Sequence, residues 1–79
     1  MPRLLEPAHA VLSARETEIV RFVALGLRNA EVAQRLSITE GTVKTHLNNV
    51  FSKLKIRDRV VLARYAIRVG IIGADEQAP

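Results

Sequence analysis

The hydrophobic positions between residues 39 and 54 follow the period of an α-helix. They recur at spacings of four, three and four residues: Val43, Leu47, Val50 and Leu54. A stripe of this kind, with Phe51 beside it, allows one face of a helix to lie on a hydrophobic core. Thr39 precedes the stripe and is a good N-cap residue. The sequence therefore predicts a helix over residues 40–54.

The opposite face of this predicted helix is polar and largely uncharged. Its side chains are Thr42, Thr45, Asn48, Asn49 and Ser52, with Lys44 at the margin. Solvated helix faces commonly carry pairs of opposite charge, whereas no acidic residue follows Glu40 in this segment. The side chains suit a surface that offers donors, acceptors and phosphates, such as the major groove of DNA. A helix face that meets only solvent is the alternative interpretation.

Two helices are predicted before this segment. Ser13 and Glu16 form a capping box at the start of the first helix, which Gly26 ends. Asn29 is the predicted N-cap of a short second helix, and residues 37–39 separate that helix from the third. A short helix, a tight turn and a longer helix form the helix-turn-helix pattern. An ordinary corner between two helices is the alternative.

A fourth helix is predicted over residues 59–69, with Asp58 as its cap. No segment shows the alternation of a strand. The predicted fold class is therefore all-α: a four-helix bundle in which the second and third helices form the helix-turn-helix. We predict this domain over residues 13–72, preceded by an N-terminal arm or linker remnant (1–12) and followed by a flexible tail (73–79).

The fourth helix has apolar residues on two faces. Leu62, Ala66 and Val69 form the face that is predicted to lie on the core. The other face consists of Val60, Val61, Arg64, Ile67 and Arg68. Because a monomer needs only one buried face, the second strip predicts a dimer interface, weak without DNA. A twofold dimer would place two recognition helices about one DNA turn apart. Apolar surface residues without a partner are the alternative.

Positive charge is concentrated in the middle of the chain. The net charge of the 79 residues is +4. Residues 28–59 carry seven basic and three acidic side chains, so this segment alone accounts for the same +4. A basic segment favours a polyanionic partner. Together with the polar face of the third helix, the charge favours DNA over an uncharged partner.

The composition argues against an enzyme or a metalloprotein. The chain has no cysteine, and neither His9 nor His46 has a plausible triad or a second metal ligand. We predict no cofactor, no metal and no small-molecule ligand in this domain. The N-terminal residues lack the apolar region of a signal peptide, and no apolar run approaches a membrane span. We therefore expect a cytoplasmic protein without membrane contact, located at the nucleoid when bound to DNA.

Several motifs in the chain resemble one family. Residues 12–18 read Leu-Ser-Ala-Arg-Glu-Thr-Glu, residues 26–33 read Gly-Leu-Arg-Asn-Ala-Glu-Val-Ala, and residues 36–46 read Leu-Ser-Ile-Thr-Glu-Gly-Thr-Val-Lys-Thr-His. Lys53-Leu54, Arg57 and Gly70-Ile71-Ile72 complete the pattern. At these spacings the chain resembles, over roughly residues 12–72, the C-terminal DNA-binding domain of the LuxR/NarL (GerE-like) regulators.

The resemblance implies a function as well as a fold. It implies sequence-specific binding of double-stranded DNA by a bacterial transcriptional regulator, as the effector domain of a response regulator or as a stand-alone LuxR-type protein. The second and third helices would form the helix-turn-helix, with the recognition helix 40–54 in the major groove. The fourth helix would mediate dimerisation.

Carried over residue by residue, the resemblance also implies roles for side chains. Three would face bases: Lys44, Thr45 and Asn48. Two would hold phosphates: Thr42 and Asn49. Lysine can donate to guanine, threonine offers a methyl to thymine, and asparagine can pair with adenine. Further basic residues are either phosphate contacts or simply solvated: Lys53, Lys55, Arg57 and Arg59.

Two positions depart from the family pattern. Lys55 stands where many members have glycine, and a left-handed backbone there would cost a lysine about 1–2 kcal/mol. Arg28 stands where a small polar residue is common. Both departures add positive charge, and neither changes the predicted fold.

Two other functions remain open from the sequence. A sigma-factor-like promoter-recognition domain would share the helix-turn-helix and dock on RNA polymerase, which makes the polymerase a second candidate partner. A small helical protein-interaction module would bind no nucleic acid. Protein-binding grooves favour methionine and aromatic residues, and the polar face of residues 42–52 has neither. A salt-dependent DNA titration would separate these alternatives.

Overall fold

The structure, a computed structural model, describes residues 11–76. The elements in this range are α1 (Ala14–Ala24), α2 (Asn29–Leu36), α3 (Glu40–Leu54), α4 (Arg59–Arg68) and a 3-10 helix (Ala74–Glu76). No residue between 11 and 76 lies in a strand. The predicted all-α fold of four helices is therefore confirmed.

The first helix, α1, lies at the centre of the fold because it packs against each of the other three α-helices. Its contact with α4 is the most extensive, and α2 packs chiefly on α3. The largest fully enclosed side chains are Ile19, Val20, Val32, Val43, Val50, Leu62 and Ile72. They come from all four helices and from the segment after α4. One core therefore holds both the helix-turn-helix and α4 against α1.

Three helix starts confirm the caps that the sequence predicts. Ser13 and Glu16 each accept the other's backbone N–H, at 3.0 and 2.8 Å. Thr39 and Asp58 each accept the backbone N–H three residues further along, at 3.1 and 2.9 Å. These side chains satisfy donors that have no partner within the helix.

The predicted N-cap of α2 is wrong. The helix begins at Asn29, so Arg28 holds the cap position, with an extended backbone. Glu31 reaches back and accepts the Arg28 backbone N–H at 2.7 Å. The Asn29 side chain does not cap because its Oδ1 accepts a hydrogen bond from Arg59, 30 residues away. A long-range contact has overridden the local preference of asparagine for the cap.

All four α-helices end with one residue in the left-handed region. These residues are Gly26 (φ 96°), Ser37 (φ 57°), Lys55 (φ 55°) and Gly70 (φ 83°). After each one, the next N–H returns to the carbonyl five positions earlier: Leu27 to Phe22, Ile38 to Ala33, Ile56 to Phe51 and Ile71 to Ala66, at 3.1, 3.0, 3.0 and 2.8 Å. This is the Schellman motif. The four returning residues are all apolar and pack against the core, so each helix end also anchors the following loop.

Replacing Lys55 by glycine is expected to stabilise the domain by about 0.5–1 kcal/mol. The left-handed backbone costs a lysine about 1–2 kcal/mol, and the greater freedom of glycine in the unfolded chain cancels part of the gain. Urea unfolding followed by far-UV circular dichroism measures the change.

Two variants control this prediction. Lys55→Ala removes the side chain but keeps the strained backbone, so a Lys55→Gly variant no more stable than Lys55→Ala would contradict the explanation. Gly70→Ala makes the opposite change, and nothing lies within 4 Å of the added Cβ. It should therefore cost about 1 kcal/mol through the backbone alone.

The core reaches both ends of the predicted domain. Leu12, which the sequence places in the N-terminal arm, is only 8% exposed and belongs to the core. Ile72 is buried and Ile71 packs against the core, so the chain after α4 folds back as predicted. Residues 1–10 of the predicted arm, which include His9, lie outside the described residues.

The segment after Ile72 is predicted as a flexible tail, and its described part has a defined arrangement. Residues 74–76 form a 3-10 helix. Glu76 accepts a hydrogen bond from the Arg21 guanidinium at 3.0 Å and one from the Gly73 N–H at 2.9 Å. The Arg21 contact holds the pKa of the Glu76 carboxyl below its usual value. Residues 77–79 lie outside the described range.

Candidate nucleic-acid interface

The third helix, α3, buries its apolar stripe and presents its polar face to solvent. Val43, Leu47 and Val50 are buried, and Phe51 and Leu54 pack partly against the core. The residues that the sequence places on the polar face are all exposed: Thr42, Lys44, Thr45, Asn48, Asn49 and Ser52. The predicted division of this helix into two faces is therefore confirmed.

Contacts within the domain occupy the start of this polar face. The hydroxyls of Thr39 and Thr42 lie 3.0 Å apart, and the Thr45 hydroxyl donates to the Gly41 carbonyl at 3.1 Å. Within residues 11–76, no hydrogen bond or ion pair involves the side chains of Lys44, Asn48 and Asn49. Their polar groups therefore point into solvent without internal partners in the described part of the chain.

The basic residues that follow on α3 and after it differ in their surroundings. Lys55 and Arg57 are exposed. The Lys53 amine instead lies 2.7 Å from a carboxylate oxygen of Glu16, so this predicted phosphate candidate already has a partner. Arg59 is held by two hydrogen bonds inside the domain. Of these four basic residues, Lys55 and Arg57 in the loop after α3 are therefore the ones without a partner among residues 11–76.

Glu16 connects the start of α1 to the end of α3. It is only 5% exposed, and it accepts the Ser13 backbone N–H and the Lys53 amine. The Lys53 hydrogen bond, followed by the Ser13 one, lowers the pKa of the Glu16 carboxyl, while burial opposes the shift. This contact links two residues 37 positions apart, so the local sequence pattern gave no sign of it.

Replacing Glu16 by glutamine is expected to destabilise the domain by about 1 kcal/mol at neutral pH, because Lys53 loses a charged partner that is partly shielded from water. Glutamine keeps an oxygen for the Ser13 N–H, so the change isolates the charge. The lowered pKa of Glu16 contributes stability above the unfolded value of about 4.3, and this contribution is lost as pH falls through the lower folded value. Unfolding measured from pH 7 to pH 3 should therefore show a smaller loss of stability for Glu16→Gln than for the wild type.

Glu18→Gln is the matched control for this experiment. Glu18 lies 3.6 Å from Arg15, and both side chains are more than 40% exposed. An ion pair in this setting contributes little to stability. Equal effects of the two substitutions at all pH values would contradict the role given to the Glu16–Lys53 pair.

The outer face of α4 carries exposed apolar residues. Val60 is 68% exposed and Val61 is 44% exposed, and Arg64 and Arg68 beside them are also exposed. Ile67, which the sequence places on the same face, is half-buried and packs against the core. The exposed apolar strip is therefore concentrated at the first turn of α4.

Tyr65 lies on the inner face of α4 and is buried, at 5% exposure. Its hydroxyl has no hydrogen-bond partner among residues 11–76. Burial raises the pKa of this hydroxyl, and the nearby Arg68 opposes the shift. The ring belongs to the core and offers no platform for stacking nucleic-acid bases.

No group of three or more potential metal ligands occurs among residues 11–76. No helix in this part of the chain is long and apolar enough to cross a membrane. The exposed face of α3 and the neighbouring basic loop are the features that define this surface, and the arrangement of α2 and α3 makes it a helix-turn-helix domain.

Comparison with known proteins agrees with this class. Residues 10–66 match the family described as "Bacterial regulatory proteins, luxR family". The transcriptional regulatory proteins LnrK and LiaR of Bacillus subtilis are 48% and 47% identical to the chain, each over 60 residues. The response regulator protein VraR of Staphylococcus aureus is 41% identical over 64 residues.

These alignments cover most of this chain and a small part of each relative. They span 76% of the chain for LnrK and LiaR and 81% for VraR, but 27%, 28% and 31% of those three proteins. The chain therefore spans less than a third of the length of these relatives. It belongs to the luxR family of bacterial regulatory proteins, and the family assignment makes it a DNA-binding regulator domain.

Proposed function

We propose that the domain binds double-stranded DNA sequence-specifically, with α3 in the major groove. The observation that carries this proposal is the exposed polar face of α3, on which Lys44, Asn48 and Asn49 have no partner among residues 11–76. A helix fixed by its buried stripe can present such groups to base edges at constant geometry. The net charge of +4 favours approach to the phosphate backbone.

The contacts divide into base readout and backbone positioning. Lys44 and Asn48 would donate to bases, and Thr45 would offer its methyl group because its hydroxyl proton is directed at the Gly41 carbonyl. Thr42 lies in the first turn of α3, where free N–H groups and the helix dipole attract a phosphate. Asn49 would hold a second phosphate from further along the same face.

The basic residues after α3 are not equivalent in this proposal. Lys55 and Arg57 are exposed and would reach the DNA backbone. Lys53 is a weaker candidate, because contact with a phosphate would break its 2.7 Å ion pair with Glu16. Each phosphate contact should steepen the slope of log affinity against log salt concentration by about one unit.

We further propose that two copies bind one operator through α4. The exposed strip of Val60 and Val61 would form the centre of the interface, flanked by Arg64, Ile67 and Arg68. A strip this small supports a weak dimer that becomes stable when both halves are on DNA. A closed twofold arrangement repeats the recognition helix at a fixed distance, which matches an operator with two half-sites.

The domain is proposed to act as the output part of a transcriptional regulator. The relatives are named as transcriptional regulatory proteins and a response regulator, and they are more than three times as long as the matched segment. The chain would thus be the effector domain of a response regulator, or work as a stand-alone regulator, in the bacterial cytoplasm. RNA polymerase would be a further partner of the bound dimer.

Lys44→Ala tests the assignment of base contacts. It is expected to weaken binding to the specific site by about 1–3 kcal/mol and to relax preference mainly at one base position. Affinities for a set of single-base operator variants, measured by fluorescence anisotropy at fixed salt, would show this. Lys55→Ala is the matched control and should weaken binding equally on every sequence. If Lys44→Ala gave the same uniform loss, Lys44 would be a phosphate contact and the assignment would be wrong.

A further inference from the structure

One arginine joins α4 to the helix-turn-helix by side-chain hydrogen bonds. Arg59, the first residue of α4, donates from Nη1 to the Asn29 side-chain oxygen at 2.7 Å and from Nη2 to the Leu27 carbonyl at 2.9 Å. Asn29 is the first residue of α2. Within residues 11–76, these two bonds, the Arg59 clamp, are the only side-chain hydrogen bonds between α4 and the segment from Leu27 to Leu54.

The Arg59 clamp lies between elements that share little apolar packing. The main contact of α4 is with α1, and its contacts with α2 and α3 are minor. Core packing therefore sets the orientation of α4 relative to the helix-turn-helix only indirectly, through α1. A guanidinium holds two acceptors in one plane at fixed spacing, so Arg59 restrains rotation as well as distance.

The exposed strip of α4 begins at the residue after the clamp. Val60 and Val61 follow Arg59 directly and are the most exposed apolar residues of the helix. The clamp therefore ties the proposed dimer surface to the first helix of the proposed DNA-reading unit. A change that breaks the hydrogen bonds of Arg59 therefore weakens the restraint on the relative orientation of these two surfaces.

We infer that Arg59 is a positioning residue that sets the separation of the two recognition helices, and with it the half-site spacing that the dimer accepts. The inference rests on the proposed dimeric binding of DNA. The domain is about 22 Å across its shortest dimension. Over a lever as long as this dimension, a rotation of α4 by about 10° would displace α3 by about 4 Å, close to the 3.4 Å step between base pairs. A restraint of this kind therefore decides between neighbouring spacings.

The test measures spacing preference, which a general loss of affinity does not alter. Duplexes carry two identical half-sites whose centres lie about 8 to 13 base pairs apart, a range that brackets the roughly 10 base pairs of one helical turn. Affinities of the wild type, Arg59→Ala, Arg59→Lys and Asn29→Ala are measured on every duplex and on a single half-site. Arg15→Ala is the charge-matched control, since Arg15 is exposed and its guanidinium forms an ion pair with Glu18. Circular dichroism confirms that each variant is folded at the assay temperature.

The expected result is a narrow optimum for the wild type and Arg15→Ala, with affinity about tenfold weaker one or two base pairs away. Arg59→Ala and Asn29→Ala should flatten this preference to about threefold or less while changing single half-site affinity little. Lysine cannot donate to both acceptors in one plane, so Arg59→Lys should show a spacing preference between that of the wild type and that of Arg59→Ala. These outcomes separate a positioning role from a contact with DNA.

Two results would overturn the inference in distinguishable ways. Suppose that the wild type prefers a narrow range of half-site spacings. If the folded variants keep this preference, or lose affinity equally at every spacing, Arg59 does not set the separation of the recognition helices. If the wild type itself binds two half-sites no better than one at any spacing, the dimer proposal fails, and the inference fails with it.

Discussion

Replacing Val61 by glutamate is expected to abolish cooperative binding to two half-sites while the domain stays folded. Val61 is 44% exposed on α4, and in a twofold dimer the two new carboxylates would face each other across one interface. Like charges brought together at an interface cost several kcal/mol, which corresponds to a loss of about 100-fold or more in affinity.

The fold should tolerate this substitution for a local reason. Val61 is the third residue of α4, and its N–H is capped by Asp58 at 2.9 Å. An acidic residue in the first turn of a helix is favoured by the helix dipole. The melting temperature of Val61→Glu should therefore stay close to that of the wild type, and the loss of binding would not be a loss of structure.

Gel-shift titrations on one and on two half-sites measure the effect. Val11→Glu is the matched control, because Val11 is similarly exposed, at 53%, and lies outside α4. It should bind two half-sites as the wild type does. Unchanged cooperativity in Val61→Glu would rule out an interface centred on this strip, and an equal loss in both variants would point to a nonspecific effect of added negative charge.

Replacing Leu62 by alanine is expected to destabilise the domain by about 2–5 kcal/mol. Leu62 has no exposed surface and lies on α4, whose main contact is with α1. A domain of this size has a total stability of only about 4–12 kcal/mol. Much of the Leu62→Ala population would consequently be unfolded at moderate temperature, with DNA binding reduced in proportion.

Chemical unfolding in urea, read by circular dichroism, tests this expectation. Leu62→Met keeps the volume of the side chain and should cost less than about 1.5 kcal/mol. If Leu62→Ala lost less than 1 kcal/mol, the contact between α1 and α4 would not be the major source of stability that the burial indicates.

The helices could be predicted from the sequence because their signals are local. The capping box of Ser13, the caps Thr39 and Asp58 and the apolar stripe of α3 depend on residues within one or two turns of each other. The same reasoning failed at Asn29. Asparagine is a preferred N-cap residue, but Arg28 holds the cap position here. The Asn29 side chain is bound by Arg59 instead, and no local rule contains that contact.

The candidate surface was predictable to a similar extent. The division of α3 into a buried stripe and an exposed polar face follows from helical periodicity, and the burial pattern agrees with it. Which basic residues are free could not be predicted in this way. Lys53 and Arg59 look like Lys55 and Arg57 in the sequence. Lys53 is bound by Glu16, 37 residues away, and Arg59 is bound by Asn29 and Leu27, 30 and 32 residues away. The left-handed residue Ser37 was also missed, because serine carries no signal for that conformation comparable to glycine.

The most direct test of the central claim is selection from a random pool of double-stranded DNA at about 150 mM salt, close to physiological ionic strength, followed by sequencing. Specific readout by α3 in a dimer predicts enrichment of one motif with two half-sites, whose centres lie about 10 base pairs apart. Absence of an enriched motif, with binding that falls steeply as salt rises, would mean contact with the phosphate backbone alone and would contradict sequence-specific recognition by this domain.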